Sequence, residues 1–515
     1  MRPAIDVRRA ALILTALVAA CFPGWLVVGS LLERPAEAQE KEKEKAADKR
    51  TSLYYPVSGC SNAGCHGGNP PKAWGGFTLI CRCDEAERWT KHDKHADAYK
   101  VLLGERGQRM GKILRYEVTK APQCLSCHSV VIKDEAIAKD SKAAGFTVEE
   151  GVSCVACHGA YLDWVLQHSS PLTAPKWRPL SRSQKESQYG MTDLWDPETR
   201  TKLCASCHIG NAGEGKVVTH DMYAAGHPPL PGFEVAMFGD EMPRHWETRS
   251  EKKDEKLWKE QKYDGKTREQ TQLLLVGSAV GLGESLRLIS AQAGESLKHS
   301  GDPELAMFDC YSCHHEIRSP SWRQTRLPVG KPGRVPMRTW PIELVRLSVR
   351  HLAKDDAGGK ADLAKLDAHM VALQKAFTAK QLGDADQIVK EANLFAKWAD
   401  KLAKDLQDST VDEAATRKLL DELPTMFAKK THDFDSARQI AWGYEVLSRD
   451  LGADKEKPPA AIAELQKYLR LRLPKGRMKD GKSSIEAELG DRMKLVNDYQ
   501  PDCFRQLLGK LGKSK

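Results

Sequence analysis

The sequence predicts a mainly α chain in two unlike parts, an irregular, loop-rich stretch over residues 52–340 and an α-helical bundle over 341–515. Three observations predict it. From about residue 52 to 318 the chain is rich in Gly, Pro, Cys and His and holds few long periodic segments. A proline-rich run from Ser319 to Pro341 then marks a boundary. Beyond it, apolar residues recur at helical spacing. At 515 residues the chain is long enough for about three domains of ~150 residues. Charged residues at 29% and hydrophobic ones at 41% exclude wholesale disorder, a collagen-like fibre and a polytopic membrane protein.

At the N-terminus, Arg2, Arg8 and Arg9 precede an apolar stretch from Ala10 to Leu32, and Ala36-Glu37-Ala38 offers a cleavage site. Residues 1–38 therefore read as a signal peptide or, because the apolar run is long enough to span a bilayer, as an N-terminal membrane anchor. Either way the rest of the chain is expected outside the cytoplasm, periplasmic or exported. Val18 to Cys21 resembles a lipoprotein box, but apolar residues continue past Cys21 and argue against it. The alternating charges of residues 39–51 read as a solvated linker.

Residues 52–340 carry the chemistry. Cys124-Leu-Ser-Cys127-His128, Cys154-Val-Ala-Cys157-His158, Cys204-Ala-Ser-Cys207-His208 and Cys310-Tyr-Ser-Cys313-His314 each match C-x-x-C-H, the attachment signature of c-type haem. With 14 Cys and 16 His in the chain, a random sequence would hold roughly 0.01 such motifs. On a helical turn both sulfurs lie on one face, where each can form a thioether, and the following His sits beneath the iron. Cys60-Ser-Asn-Ala-Gly-Cys65-His66 has a longer spacer but can reach the same two vinyl groups if its loop bulges, which Gly64 helps. Five covalently bound haem c groups follow, with iron held on one side by His66, His128, His158, His208 and His314. Zinc, the main rival, would consume the motifs two at a time and leave one of the five unmatched. Cys81 and Cys83 lack a following His, so a disulfide within this pair or to Cys503 is the simplest expectation.

Thirteen of the sixteen His lie between residues 51 and 340. Beyond the five proximal ones, His92, His95, His168, His220, His227, His245, His299 and His315 are candidates for the opposite face of the irons. The formal charge of +9 is spread along the chain without a nucleic-acid-binding motif, and haem propionates would offset much of it, so no nucleic-acid partner is expected.

In the C-terminal part, Leu363, Leu366, Met370, Leu373 and Phe377 mark one helix and Ile388, Phe395, Trp398 and Leu402 a second. Thr410 and Glu413 read as a capping box opening a third, and Ala437, Ile440, Tyr444, Leu447 and Leu451, closed by Gly452, form a fourth. These stripes read as core, not as cofactor contacts.

With these residues in hand, the chain resembles the cytochrome c-554 family of multihaem electron carriers over about residues 55–230. The resemblance lies in Cys60 to His66, Trp89, His95-Ala-Asp-Ala-Tyr-Lys-Val-Leu, Cys124 to His128, Gly151-Val-Ser-Cys-Val-Ala-Cys-His-Gly159, His168, and Cys204 to His208. It implies His95 and His168 as distal iron ligands, with His220 or His227 completing another haem. A longer first motif, a fifth site at Cys310 to His314 and the helical C-terminal part depart from the family's tetrahaem core. Residues 52–340 thus read as a multihaem cytochrome c domain of five haems.

Five haems in so short a stretch must supply much of its hydrophobic core and pack closely. The function expected is periplasmic one-electron transfer along mostly bis-His haems between redox donor and acceptor proteins, with no catalytic residue assigned. The alternative is an oxidoreductase acting on a small nitrogen or sulfur compound at a haem with an open distal site. A third possibility is a docking subunit that recruits the haems through the helical region.

Overall fold

The computed structural model describes residues 53–62, 65–68, 82–160, 162–170, 172–252, 258–259, 263–298, 303–315, 321–322, 333–455, 457–472 and 494–512. The N-terminal segment 1–38, the linker 39–51, Gly64, Cys81, His299 and most of the proline-rich run lie outside the described residues. Helix dominates, as the sequence predicts. Among the described residues β-pairing is confined to two isolated bridges, Asn211 with Lys216 and Phe308 with Met337.

The first half is a string of short helices set between loops. Helix α1 (Glu85–His92) precedes three that each carry an attachment motif or follow one: α2 (Pro122–His128), α3 (Cys154–His158) and α4 (Leu162–Ser169). Two more that bear on the site are α5 (Pro197–His208) and α6 (His220–Ala224), with other short helices between. Pro122 and Pro197 stand at helix starts, where a missing N–H leaves no bond unmade. Asp196 caps α5 by accepting from the Thr199 amide at 2.7 Å. The fifth motif lies on a single 3-10 turn, Cys310–Ser312, capped by Asp309.

The second half is long helices: α7 (Val235–Glu241) leads to α8 (Glu269–Lys298), then α9 (Trp340–Leu352), α10 (Asp356–Ala379) and α11 (Ala385–Gln407). Helices α12 (Glu413–Phe427), α13 (Phe434–Asp450), α14 (Ala460–Leu469) and α15 (Pro501–Leu511) follow. The apolar stripes read from the sequence fall on α10, α11 and α13, and Gly452 follows α13 with φ +97°, a left-handed conformation. The cap of α12 is Asp412, which accepts from the Ala415 amide at 2.8 Å, so the Thr410 capping box is corrected. Asp412 is the residue placed one turn before an amide still lacking an intrahelical acceptor.

Helix α8 lies in the stretch where the sequence shows few long periodic segments. It is apolar on several faces, so no clean stripe betrays it. It is also the one helix among the described residues long and apolar enough to cross a membrane, yet 78% of its most apolar window is buried in the fold. Leu274, Leu275, Leu282 and Leu286 are almost wholly enclosed by α9, α11 and α13, each contributing about 2 kcal/mol. Leu53–Lys515 forms one compact unit, in which α8 packs with the helices beyond residue 340.

The apolar core is uneven. One large cluster runs from Ala205 to Leu511, whereas residues 53–230 otherwise hold two small clusters. One gathers Tyr99, Leu102 and Met110 beside Cys124, and the other Val130, Phe146 and Val155 beside the third motif. The first half therefore builds little hydrophobic core from its own side chains, which is the expectation for a region that packs around cofactors.

Candidate functional site

Each motif histidine faces a second histidine across a gap of nearly constant width. The imidazole centroids of His66 and His168 lie 6.4 Å apart, those of His208 and His95 6.2 Å, and those of His128 and His227 6.3 Å. His158 faces His245 at 6.4 Å, and His314 faces His220 at 6.4 Å. Two metal–imidazole bonds of about 2.0–2.1 Å, with about 1.1 Å from each nitrogen to its ring centre, put the centroids about 6.3 Å apart. The five gaps thus fit an iron between each pair of rings, and the residues present fit haem at every motif.

The ring orientations are held from behind. Nδ1 of His66 bonds Glu85 Oε2 at 2.8 Å, and Nδ1 of His95 bonds Asp93 Oδ1 at 2.9 Å. Carbonyls take the same role for His128 (Ala98, 2.7 Å), His168 (Trp164, 3.1 Å) and His227 (Pro228, 2.8 Å). An Nδ1–H engaged in this way leaves Nε2 as the unprotonated nitrogen, free to bind metal.

Electrostatics favour neutral rings where no carboxylate stands behind. Burial pushes the pKa of His158, His208 and His227 down to about 4. Burial also lowers His168 and His245. At His66 the Glu85 hydrogen bond outweighs burial and raises the pKa; at His95 burial opposes a rise that Asp93 carries. Those two carboxylates lend their ligands anionic character.

Local backbone brings distant parts of the chain to these pairs. Gly151, with φ +72°, precedes the third motif, and a Cβ there would come within 2.7 Å of the His95 carbonyl. That carbonyl accepts from the Val152 amide at 3.1 Å, so the third motif and the His95 turn are fastened together. Trp89 Nε1 donates to the Val152 carbonyl at 3.2 Å and braces α1 against the same loop.

The cysteines lie beside their histidines and beside each other. Cys60 is within hydrogen-bonding reach of Cys154, and Cys127 of Cys207. Cys157 lies close enough to Cys204 and Cys207 to feel their charge. Cys65 and Cys313, in the first and fifth motifs, are exposed; Cys124, Cys310 and the remaining motif cysteines are half-buried. Cys83 is buried and Cys503 exposed. Among the described residues no group of three or more His, Cys, Asp or Glu is disposed to hold a metal ion directly.

All four distal candidates drawn from the resemblance stand opposite motif histidines, and His220 and His227 face different ones. His245 completes the set. The sequence offers it only as one His among eight, in the undistinguished context Pro243-Arg244-His245-Trp246. His92 is exposed on α1, and His314 has its facing imidazole in His220 without recourse to its neighbour His315.

Residues 80–159 match the family model for cytochrome c554 and c-prime. That stretch holds the second and third motifs, Trp89 and His95. The likeness supports a c-type cytochrome with covalently bound haem c and a role in haem-based electron transfer. No curated protein and no solved structure matches the chain.

Proposed function

We propose that the chain is an exported, periplasmic multihaem cytochrome that carries single electrons along five bis-His haems between a donor and an acceptor protein, its N-terminal segment serving as signal or membrane anchor. The carrying observation is the set of five histidine pairs, each containing one motif histidine, at centroid spacings of 6.2–6.4 Å. Haem c would supply a ferric/ferrous couple at each pair. The chain's residues fix the axial rings, set their basicity through Nδ1 partners and hold neighbouring sites together.

Contacts between motifs suggest the order of the relay. Cys60 against Cys154 joins the first site to the third, Cys157 beside Cys204 joins the third to the fourth, and Cys207 against Cys127 joins the fourth to the second. Tyr223, its ring 5.9 Å from His227 and close to Cys310, joins the second to the fifth. The two ends of this line, the first and fifth sites, are those with an exposed cysteine, which suits exchange with partners.

An oxidoreductase needs an iron with an open position. All five motif histidines have a facing imidazole, so no observation favours that reading. Pyridine haemochrome titration of the matured protein should count five haems per chain, and electron paramagnetic resonance should show low-spin ferric iron throughout. A colourless product would refute the proposal, and a stable high-spin signal that shifts with cyanide would redirect it to an enzyme.

A further inference from the structure

Arg200 lies one helical turn before Cys204 on α5, in the space between the third and fourth attachment motifs. Its charge is felt at both Cys204 and Cys157. The guanidinium carbon stands 5.0 Å from the centre of the Trp246 ring, and that ring in turn lies 5.0 Å from His245. Its position is prepared by Gly239 on α7, where a Cβ would come within 2.3 Å of Arg200 Nη2.

Arg200 is half-buried, and a guanidinium partly withdrawn from water is ordinarily given a counter-charge. Two acids are near, Asp240 and Glu234, and both are engaged elsewhere. Asp240 pairs with Arg449 at 2.9 Å, and Glu234 accepts from the Ala236 and Met237 amides at 2.9 and 2.6 Å. Arg244, the other cation beside Trp246, has Glu251. Among the described residues the Arg200 guanidinium makes no ion pair or hydrogen bond. Burial lowers its pKa.

We propose that Arg200 is a potential-setting residue for the third and fourth haems, a fixed positive charge at their junction that favours the ferrous over the ferric state. The inference rests on the haem assignment above. Adding one electron to a bis-His ferric haem removes one unit of positive charge, with no bond made or broken and no proton required. A cation held nearby therefore stabilises the reduced form and raises the potential. Its location places this effect in the middle of the proposed relay, opposite in sign to that of the Asp93 carboxylate behind His95.

The test is a spectroelectrochemical titration of the mature holoprotein as wild type, Arg200→Gln, Arg200→Lys and Gly239→Ala. At a fixed ambient potential near their midpoints, Arg200→Gln should raise the ferric-to-ferrous ratio of one or two of the haems by about three- to tenfold, a tenfold change being about 59 mV for one electron. Gly239→Ala, which adds a methyl group where the guanidinium sits and suits a helix, should shift the same haems in the same direction. Arg200→Lys should retain most of the wild-type ratio. Unchanged potentials in both Arg200→Gln and Gly239→Ala, with haem content intact, would overturn the proposal. Should Arg200→Gln fail to mature, Gly239→Ala compared with wild type decides. Haem content is counted on the same samples, so absence of haem from the wild type would refute the assignment of haem and not the role of Arg200.

Discussion

The imidazoles of His158 and His245 face each other at 6.4 Å, although one follows the third attachment motif and the other lies in a loop between α7 and α8. The His245 ring packs edge-on against Trp246 at 5.0 Å, which fixes its orientation. His245→Ala should therefore convert one haem to high-spin ferric iron and leave the others low-spin, as read by electron paramagnetic resonance. His92→Ala, on an exposed side chain, should leave the spectrum unaltered. An unaltered spectrum for His245→Ala would remove that residue from the ligand set.

Asp93 is almost fully buried and its carboxylate bonds His95 Nδ1 at 2.9 Å. A carboxylate behind an axial imidazole strengthens its donation to iron and favours the ferric state. Asp93→Asn is expected to raise the potential of the haem between His95 and His208, by about 30–60 mV on the scale of 59 mV per tenfold. Potentiometry of the holoprotein checks this, and a fall in potential would contradict it.

Within the bundle, His432 is buried, with Nε2 bonded to the Phe427 carbonyl at 3.0 Å and Nδ1 3.6 Å from Glu343. Burial pulls the His432 pKa down, but the Glu343 carboxylate, with the Phe427 carbonyl and Asp433, more than reverses this, and the net shift is upward. A folded pKa above the unfolded value means the folded state binds the extra proton. The contribution to stability is full below about pH 6.5 and is lost as pH rises through the folded pKa. Thermal unfolding followed across that range should show a declining melting temperature, and His432→Gln should flatten the decline.

Glu241, at the end of α7, is buried and meets Arg472 at 2.9 Å and Lys455 at 3.4 Å, tying α7 to the chain around α14. Arg472 also meets Glu445 at 3.0 Å and both cations reach solvent, so removing Glu241 costs about 1–3 kcal/mol, the scale of a lost hydrogen bond to a charged group. Glu241→Ala should lower the denaturation midpoint accordingly while leaving the haem spectrum unchanged. A loss below about 1 kcal/mol would place this pair with ordinary surface ion pairs.

Much of the fold was legible before any coordinates. The stripes on α10, α11 and α13 have one apolar face against the core, so their period is visible in the sequence. The period and extent of helix α8 were not legible, because a helix enclosed on several sides has no polar face to set the period. At the candidate site, attachment cysteines and proximal histidines are contiguous, and their spacing alone carries the chemistry. His245 and Asp93 lie beside motifs distant in sequence, and Arg200, though one turn from Cys204, also approaches the distant third motif; none carries a local signature.

The sequence by itself determined that the chain is mainly helical and that five Cys/His motifs carry its chemistry, because thioether linkage and proximal ligation would require residues adjacent along the backbone. Only the tertiary structure decided which histidine faces which, that His220 and His227 serve different sites, and what stands behind each ring. Those pairings depend on long-range packing of short helices and loops, and no period or spacing along the chain records it.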